Sequence, residues 1–166
     1  RERHNHLDGK PSQIRWKINS LVDNGIIDAL AAAAKDGVPI DLLVRGTCSF
    51  RMSRVSKYRN VRIRSILGRF LEHSRIYSFH NAGDPEFYIG SADIMERNLD
   101  RRVEALVRID ESEHKAELQE ILDLSFSERF RMWEMTEDDT WNYIKQGAEG
   151  KALEDFQEHF IERYKK

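Results

Sequence analysis

One cysteine and three prolines are all that 166 residues hold of the types that staple or stiffen a chain. A lone Cys48 excludes an internal disulfide framework and a cysteine-based zinc site, which leaves an ordinary reduced thiol. No apolar run approaches a membrane span, and the opening RERHNHLDGK has no apolar stretch that could act as a signal peptide. A cytoplasmic protein is expected. Acid is missing from one region in particular: between Arg45 and Arg75 the only carboxylate is Glu72, among nine Lys/Arg.

What is present suffices for one domain with a real core, since 40% of residues are hydrophobic and 34% charged. The net charge of −2 hides an asymmetry, with 19 Lys/Arg against 14 Asp/Glu in residues 1–110 and 8 against 15 in residues 111–166. The 45–75 span should attract polyanions such as nucleotide, polyphosphate or nucleic acid. Eight of its nine cations are arginine, whose planar fork suits phosphate better than a lysine point charge.

Periodicity predicts strands alternating with helices. QIRWKI (13–18) alternates as a strand, Asp23 or Asn24 caps a helix over IIDALAAAAKDG that ends at Gly37, and VPIDLLV (38–44) reads as a buried strand. Thr47 to Asn60 has no period and reads as a mobile basic loop. NVRIRSI (60–66), IYSF (76–79), EFYIGS (86–91) and RRVEALVRI (101–109) complete a mixed sheet of about five or six strands. From Glu111 the pattern turns helical, and Phe126, Phe130, Trp133, Trp141, Phe156 and Phe160 read as core or interface. The fold class expected is α/β, a mixed sheet flanked by helices with a C-terminal helical extension. Its divisions fall at a 1–12 linker, a 13–130 domain and a 131–166 extension.

Three groups of residues could carry chemistry. Arg45 ends one strand, Lys17 and Asn19 end another, and a simple β-α-β order puts them on one sheet edge, where α/β sheets bind ligands. Taken singly, Arg45 could pair with Asp41 or Asp93, Lys17 could be an exposed strand residue and Asn19 a turn former. The third group, His73-Ser74-Arg75 followed by Gly90-Ser91-Ala92-Asp93, resembles the H-x-K and G-S-x-N pattern of the phospholipase D superfamily. Arg75 stands for the lysine, Asp93 for the asparagine, and His80 for the acid that follows.

A closer resemblance runs through KINSLVD (17–23), GVPIDLLVRG (37–46), FLEHSRIY (70–77) and SADIMERNLDRRVE (91–104). These segments are similar to the C-terminal catalytic domain of bacterial polyphosphate kinase, the long histidine-phosphorylating family, over about residues 10–130. The segment TCSFRMSRVSKYRN departs from that family's usual R-P-G loop. The resemblance implies a phospholipase D-like fold and a reversible transfer of the terminal phosphate of ATP to polyphosphate, through a phosphohistidine on a preceding domain of the same chain. It implies that Arg45 contacts the nucleotide phosphates and that His73 acts at the same nucleotide, with Arg75, Lys17 and Asn19 as further phosphate-site candidates. It also implies that the sequence is a piece of a longer enzyme, inactive alone, with RERHNHLDGK the remains of a helix leading in. ATP/ADP and inorganic polyphosphate are the expected partners, Mg2+ arrives with ATP rather than on a metal site of this segment, and no specific nucleic acid is expected. The full-length form is expected to be a homo-oligomer, cytoplasmic or peripheral at the inner membrane face. Two other classes stay open: a phospholipase D-like phosphodiesterase or nuclease, and a noncatalytic polyanion-binding module.

Overall fold

In the computed structural model, which describes residues 1–165, the centre of the molecule is set by β1 (Ile14–Ile18) and β2 (Ile40–Val44). Every residue of both is buried, the mark of strands covered on two faces. They run parallel to each other, and β3 (Val61–Ser65) runs parallel to β2. Between β1 and β2 the chain forms α2 (Asn24–Lys35), following the short α1 (Glu2–Leu7) at the start of the chain. The Asp23 carboxylate accepts from the Ile26 amide at 2.8 Å as its cap. Ile27, Leu30, Ala31 and Ala34 form its buried stripe, and Gly37 at φ +100° ends it.

The antiparallel strands β4 (Ile76–Phe79), β5 (Glu86–Gly90) and β6 (Leu106–Ile109) extend the sheet beyond β1. On its other side come β7 (Met132–Met135) and β8 (Trp141–Ile144), giving eight strands in the order β6-β5-β4-β1-β2-β3-β7-β8. Two helices, α4 (Ser112–Ser125) and α5 (Phe156–Tyr164), and the short α3 (Glu96–Asp100) complete the chain.

The α/β class with a mixed, helix-flanked sheet stands, with three corrections. The sheet has eight strands rather than five or six. Part of the expected helical extension is a hairpin, because Met132 and Met135 face the cores while Trp133 stacks on Tyr143 across the strand pair at 4.8 Å. The strand expected from Arg101 begins only at Leu106, since Glu104 turns back to accept hydrogen bonds from Ser91 and Asn98. The loop after β2 is also more ordered than its lack of period suggested. It forms two single 3-10 turns, Met52–Arg54 and Ser56–Tyr58, and is fastened to the β7–β8 hairpin where Asp139 accepts from the Ser53 amide at 3.0 Å.

Alternation divides the central strands chemically. Ile14, Trp16, Ile18, Ile40, Leu42, Val44 and Ile63 enter one cluster with α2. Arg15, Asp41, Arg62 and Arg64 turn the other way, where Phe126 lies under the three guanidinium groups at 5.1–5.7 Å. Among the described residues no helix is long and apolar enough to cross a membrane.

Candidate phosphate-binding cleft

Register explains why distant segments meet. Ile18 pairs with Val44, so Asn19 and Arg45 leave the sheet side by side. Lys17 pairs with Ile76 and Ile76 with Ile89, so β4 begins and β5 ends at this same edge. His73 and Arg75 therefore arrive just before β4, and Ser91 and Asp93 just after β5. The turn is tight at Gly46, where a Cβ would lie 2.9 Å from the Asn19 carbonyl oxygen; glycine is required there by close approach.

Asp93 holds the edge together. It is buried, and it accepts from the Asn19 amide at 2.7 Å, the Ser20 amide at 3.2 Å and Nη2 of Arg75 at 2.8 Å. Burial pushes its carboxyl up, but the Arg75 guanidinium and these amides outweigh burial and hold it below the usual carboxylate range. The same guanidinium donates to the His73 carbonyl at 3.2 Å and, at a long 3.4 Å, toward Nε2 of His73. An arginine can only donate, so this contact requires the tautomer with Nδ1 as the N–H. The ring itself is exposed.

These residues line an open cleft of about 560 Å³, whose other cations are Arg97 and Arg102. The remaining carboxylate, Glu104, is drawn below its usual range by hydrogen bonds from Ser91 and Asn98. Arg45 faces the cleft with no carboxylate in ion-pair range among the described residues: Asp41 is taken by Arg62 and Arg15, and Asp93 by Arg75. Three buried donors of lining residues also lack any partner, namely Nε of Arg45, Nε of Arg75 and Nδ2 of Asn19. Such donors also occur away from the cleft, on Arg15 and Trp16, so what suits the cleft to an anion is its cations, Arg45 without a carboxylate in ion-pair range and Arg97 and Arg102 beside it.

The candidates thus separate. Arg45, Asn19, His73 and Arg75 converge on the cleft, with Arg75 committed to Asp93 and His73. Lys17 lies beneath it, buried, donating to Glu72 at 2.7 Å and to the Ser74 hydroxyl at 2.6 Å. His80 sits at the opposite end of β4, where Nδ1 accepts from the Gly83 amide at 3.2 Å. Arg97 and Arg102 were not singled out from sequence, although the run RNLDRR was a signal for them. The carboxylates here do not fit a resident metal ion, because Asp93 already accepts from a guanidinium and two amides and Glu104 from a hydroxyl and an amide.

Comparison with known proteins places the chain in a family. The family model for the polyphosphate kinase C-terminal domain 2 matches residues 1–155. A polyphosphate kinase of Streptomyces coelicolor is 43% identical over 162 residues, covering 98% of this chain and 22% of that protein. One from Synechocystis sp. is 49% identical over 141 residues, 85% of this chain and 19% of that one. The chain thus spans about a fifth of the length of the curated relatives it matches. The crystal structure of polyphosphate kinase from Porphyromonas gingivalis superposes with a TM-score of 0.86 at 32% identity, over 98% of this chain and 24% of that one. Nuc from Salmonella typhimurium, a phospholipase D family member, superposes with a TM-score of 0.54 at 18% identity, over 72% of this chain and 81% of Nuc; that likeness concerns the fold alone.

Proposed function

The chain belongs to the polyphosphate kinase C-terminal domain 2 family, and from that membership and the cleft we propose that it supplies one wall of an ATP and polyphosphate site. The observation that carries this reading is a cleft lined by Arg45, Arg75, Arg97 and Arg102 in which Arg45 has no carboxylate in ion-pair range among the described residues. Phosphoryl transfer asks little covalent work of a protein and much positioning and charge neutralisation. Arg45 clamps nonbridging oxygens, Asn19 adds an amide donor, and His73 offers Nδ1–H to the phosphate in transfer. Arg75 is a positioning residue that orients the His73 ring from Asp93. Lys17 positions the loop and does not touch phosphate.

In this reading the terminal phosphate of ATP passes to polyphosphate through a histidine on a preceding part of the chain, and magnesium comes with the nucleotide. No step depends on a metal held by this segment. The setting is cytoplasmic, where ATP is available. A phosphodiesterase reading is less well supported, because the cation in the place of the superfamily lysine is tied to a carboxylate.

The test replaces the matching segment of a curated relative with this chain and measures ATP-dependent polyphosphate synthesis, alongside binding of inorganic tripolyphosphate to the chain alone. Arg45→Ala should weaken tripolyphosphate binding by about 1.5–3 kcal/mol, the scale of a charge-assisted hydrogen bond, and raise KM for ATP in the chimera. His73→Ala should lower kcat about a hundredfold with the fold intact. Unchanged binding and kinetics in both variants would return these residues to structure.

A further inference from the structure

The C-terminal helix α5 reaches the site's loop through one side chain. Asp155 caps the helix by accepting from the amides of Gln157 and Glu158 at 2.8 and 2.9 Å, which presents the buried Gln157 from the first turn. All the side-chain hydrogen bonds of Gln157 go to the loop before β4. Its Oε1 accepts from the Phe70 amide at 2.7 Å, while Nε2 donates to the Phe70 carbonyl at 2.8 Å and to Oε1 of Glu72 at 3.0 Å. The carboxamide thus pairs with residue 70 as a neighbouring strand would.

Burial alone does not hold this loop, since Leu67, Phe70 and Leu71 are 55–74% exposed. Polar contacts on alternate residues do. Residue 70 is held by Gln157, Glu72 by Gln157 and Lys17, and Ser74 by Lys17, while His73 between them lines the cleft with Arg75. Burial pushes the Glu72 carboxyl up, but the Lys17 ammonium, the Gln157 amide and the nearby Arg45 charge hold it below the usual range, so it remains a charged anchor. Gly68 fits the same arrangement, because a Cβ there would fall 2.3 Å from Oε1 of Gln157.

We infer that Gln157 is a positioning residue, whose carboxamide fastens the 68–74 loop to α5 and thereby holds the His73 imidazole at the cleft. Residue 157 lies beyond the segment matched by the family model. The inference rests on the phosphate-site reading only for what His73 does once it is held.

The test uses the chain with three readouts: amide exchange at Phe70, the ring nitrogen signals of ¹⁵N-histidine at His73, and affinity for inorganic tripolyphosphate. Gln157→Met keeps the volume and removes the hydrogen bonds. It should speed Phe70 exchange at least tenfold, shift or broaden the His73 signals, and weaken tripolyphosphate binding threefold or more, with a thermal midpoint near the parent's. Gly68→Ala approaches the same bonds from the loop side, so it should speed Phe70 exchange in the parent and add nothing in a Gln157→Ala background. Unchanged Phe70 exchange in Gln157→Met would overturn the inference. So would faster exchange with unmoved His73 signals, since Gln157 would then be a local fastening with no hold on the imidazole. If the parent fails to bind tripolyphosphate, the phosphate-site reading falls, while exchange and ring signals still decide the role of Gln157.

Discussion

Two groups of arginines in this protein do opposite work. Over Phe126, Arg15, Arg62 and Arg64 are matched by Asp41, Asp123 and Glu134, with Arg62 forking onto Asp41 through two contacts of 2.8 Å. At the cleft, Arg45 has no carboxylate in ion-pair range among the described residues, although Glu72 lies near enough to feel its charge. A matched guanidinium crosslinks elements of the fold, whereas an unmatched one at a cleft is held ready for a ligand's charge. Residue type does not tell the two apart; a carboxylate within ion-pair range does.

The sharpest way to break that comparison is to remove the anion at the centre of the matched group. Asp41 is buried and serves two arginines at once. Asp41→Ala should destabilise the chain by about 3 kcal/mol, the low end for a buried partner removed, because Arg62 reaches solvent and Arg15 keeps Asp123. Urea unfolding measures the loss. Tripolyphosphate affinity of the molecules still folded should stay within twofold of the parent, and a tenfold loss would merge the two groups into one site.

Much of this division was hidden in the sequence. Strand alternation and helix capping were legible, because QIRWKI, VPIDLLV and the Asp23-capped helix are set by local periodicity. The convergence of Arg45, Asn19 and His73 followed from β-α-β order and from family resemblance together. What local pattern could not show is which cations of the 45–75 span are matched, since their partners come from far along the chain: Arg64 meets Glu134, Arg51 meets Asp139, and Arg54 meets Asp28. The β7–β8 hairpin was missed for a related reason. TEDDTWNYIKQ carries few apolar residues and joins the sheet only through pairing of β7 with β3. Nothing near Lys17 in sequence announces Glu72 and Ser74 as its partners either.

Asp93 joins the two behaviours, because it is a matched carboxylate that organises the unmatched edge. Its folded-state carboxyl lies below the ordinary value of about 3.9. The stability it contributes is therefore complete above that ordinary value and is lost as pH falls through the lower folded value. Asp93→Asn should cost about 1.5–3 kcal/mol at pH 7, the scale of hydrogen bonds to a charged group. The gap to the parent should narrow as both are titrated below the ordinary carboxylate value in denaturant unfolding. A gap that stays constant with pH would mean that shape, not charge, makes Asp93 fit.

The smallest effect expected is the most direct test of whether the basic loop belongs to the cleft. Arg54 lies in the same run of cations as Arg45 and looks equivalent to it in sequence. In the structure its Nη2 donates to Asp28 of α2 at 3.1 Å, and both side chains are half or more exposed. An exposed pair of this kind contributes about 0.2–1 kcal/mol and is screened by salt. Arg54→Ala should therefore move the thermal midpoint by no more than about 4 °C. It should leave tripolyphosphate affinity within twofold, because a cation already facing a carboxylate adds little to the field at the cleft. The salt dependence of binding is the finer measure: each phosphate-contacting cation steepens it, so Arg45→Ala should flatten the slope and Arg54→Ala should not. A flattened slope for Arg54→Ala would show that the loop leaves Asp28 to contact the anion, and would add residues 51–59 to the phosphate site.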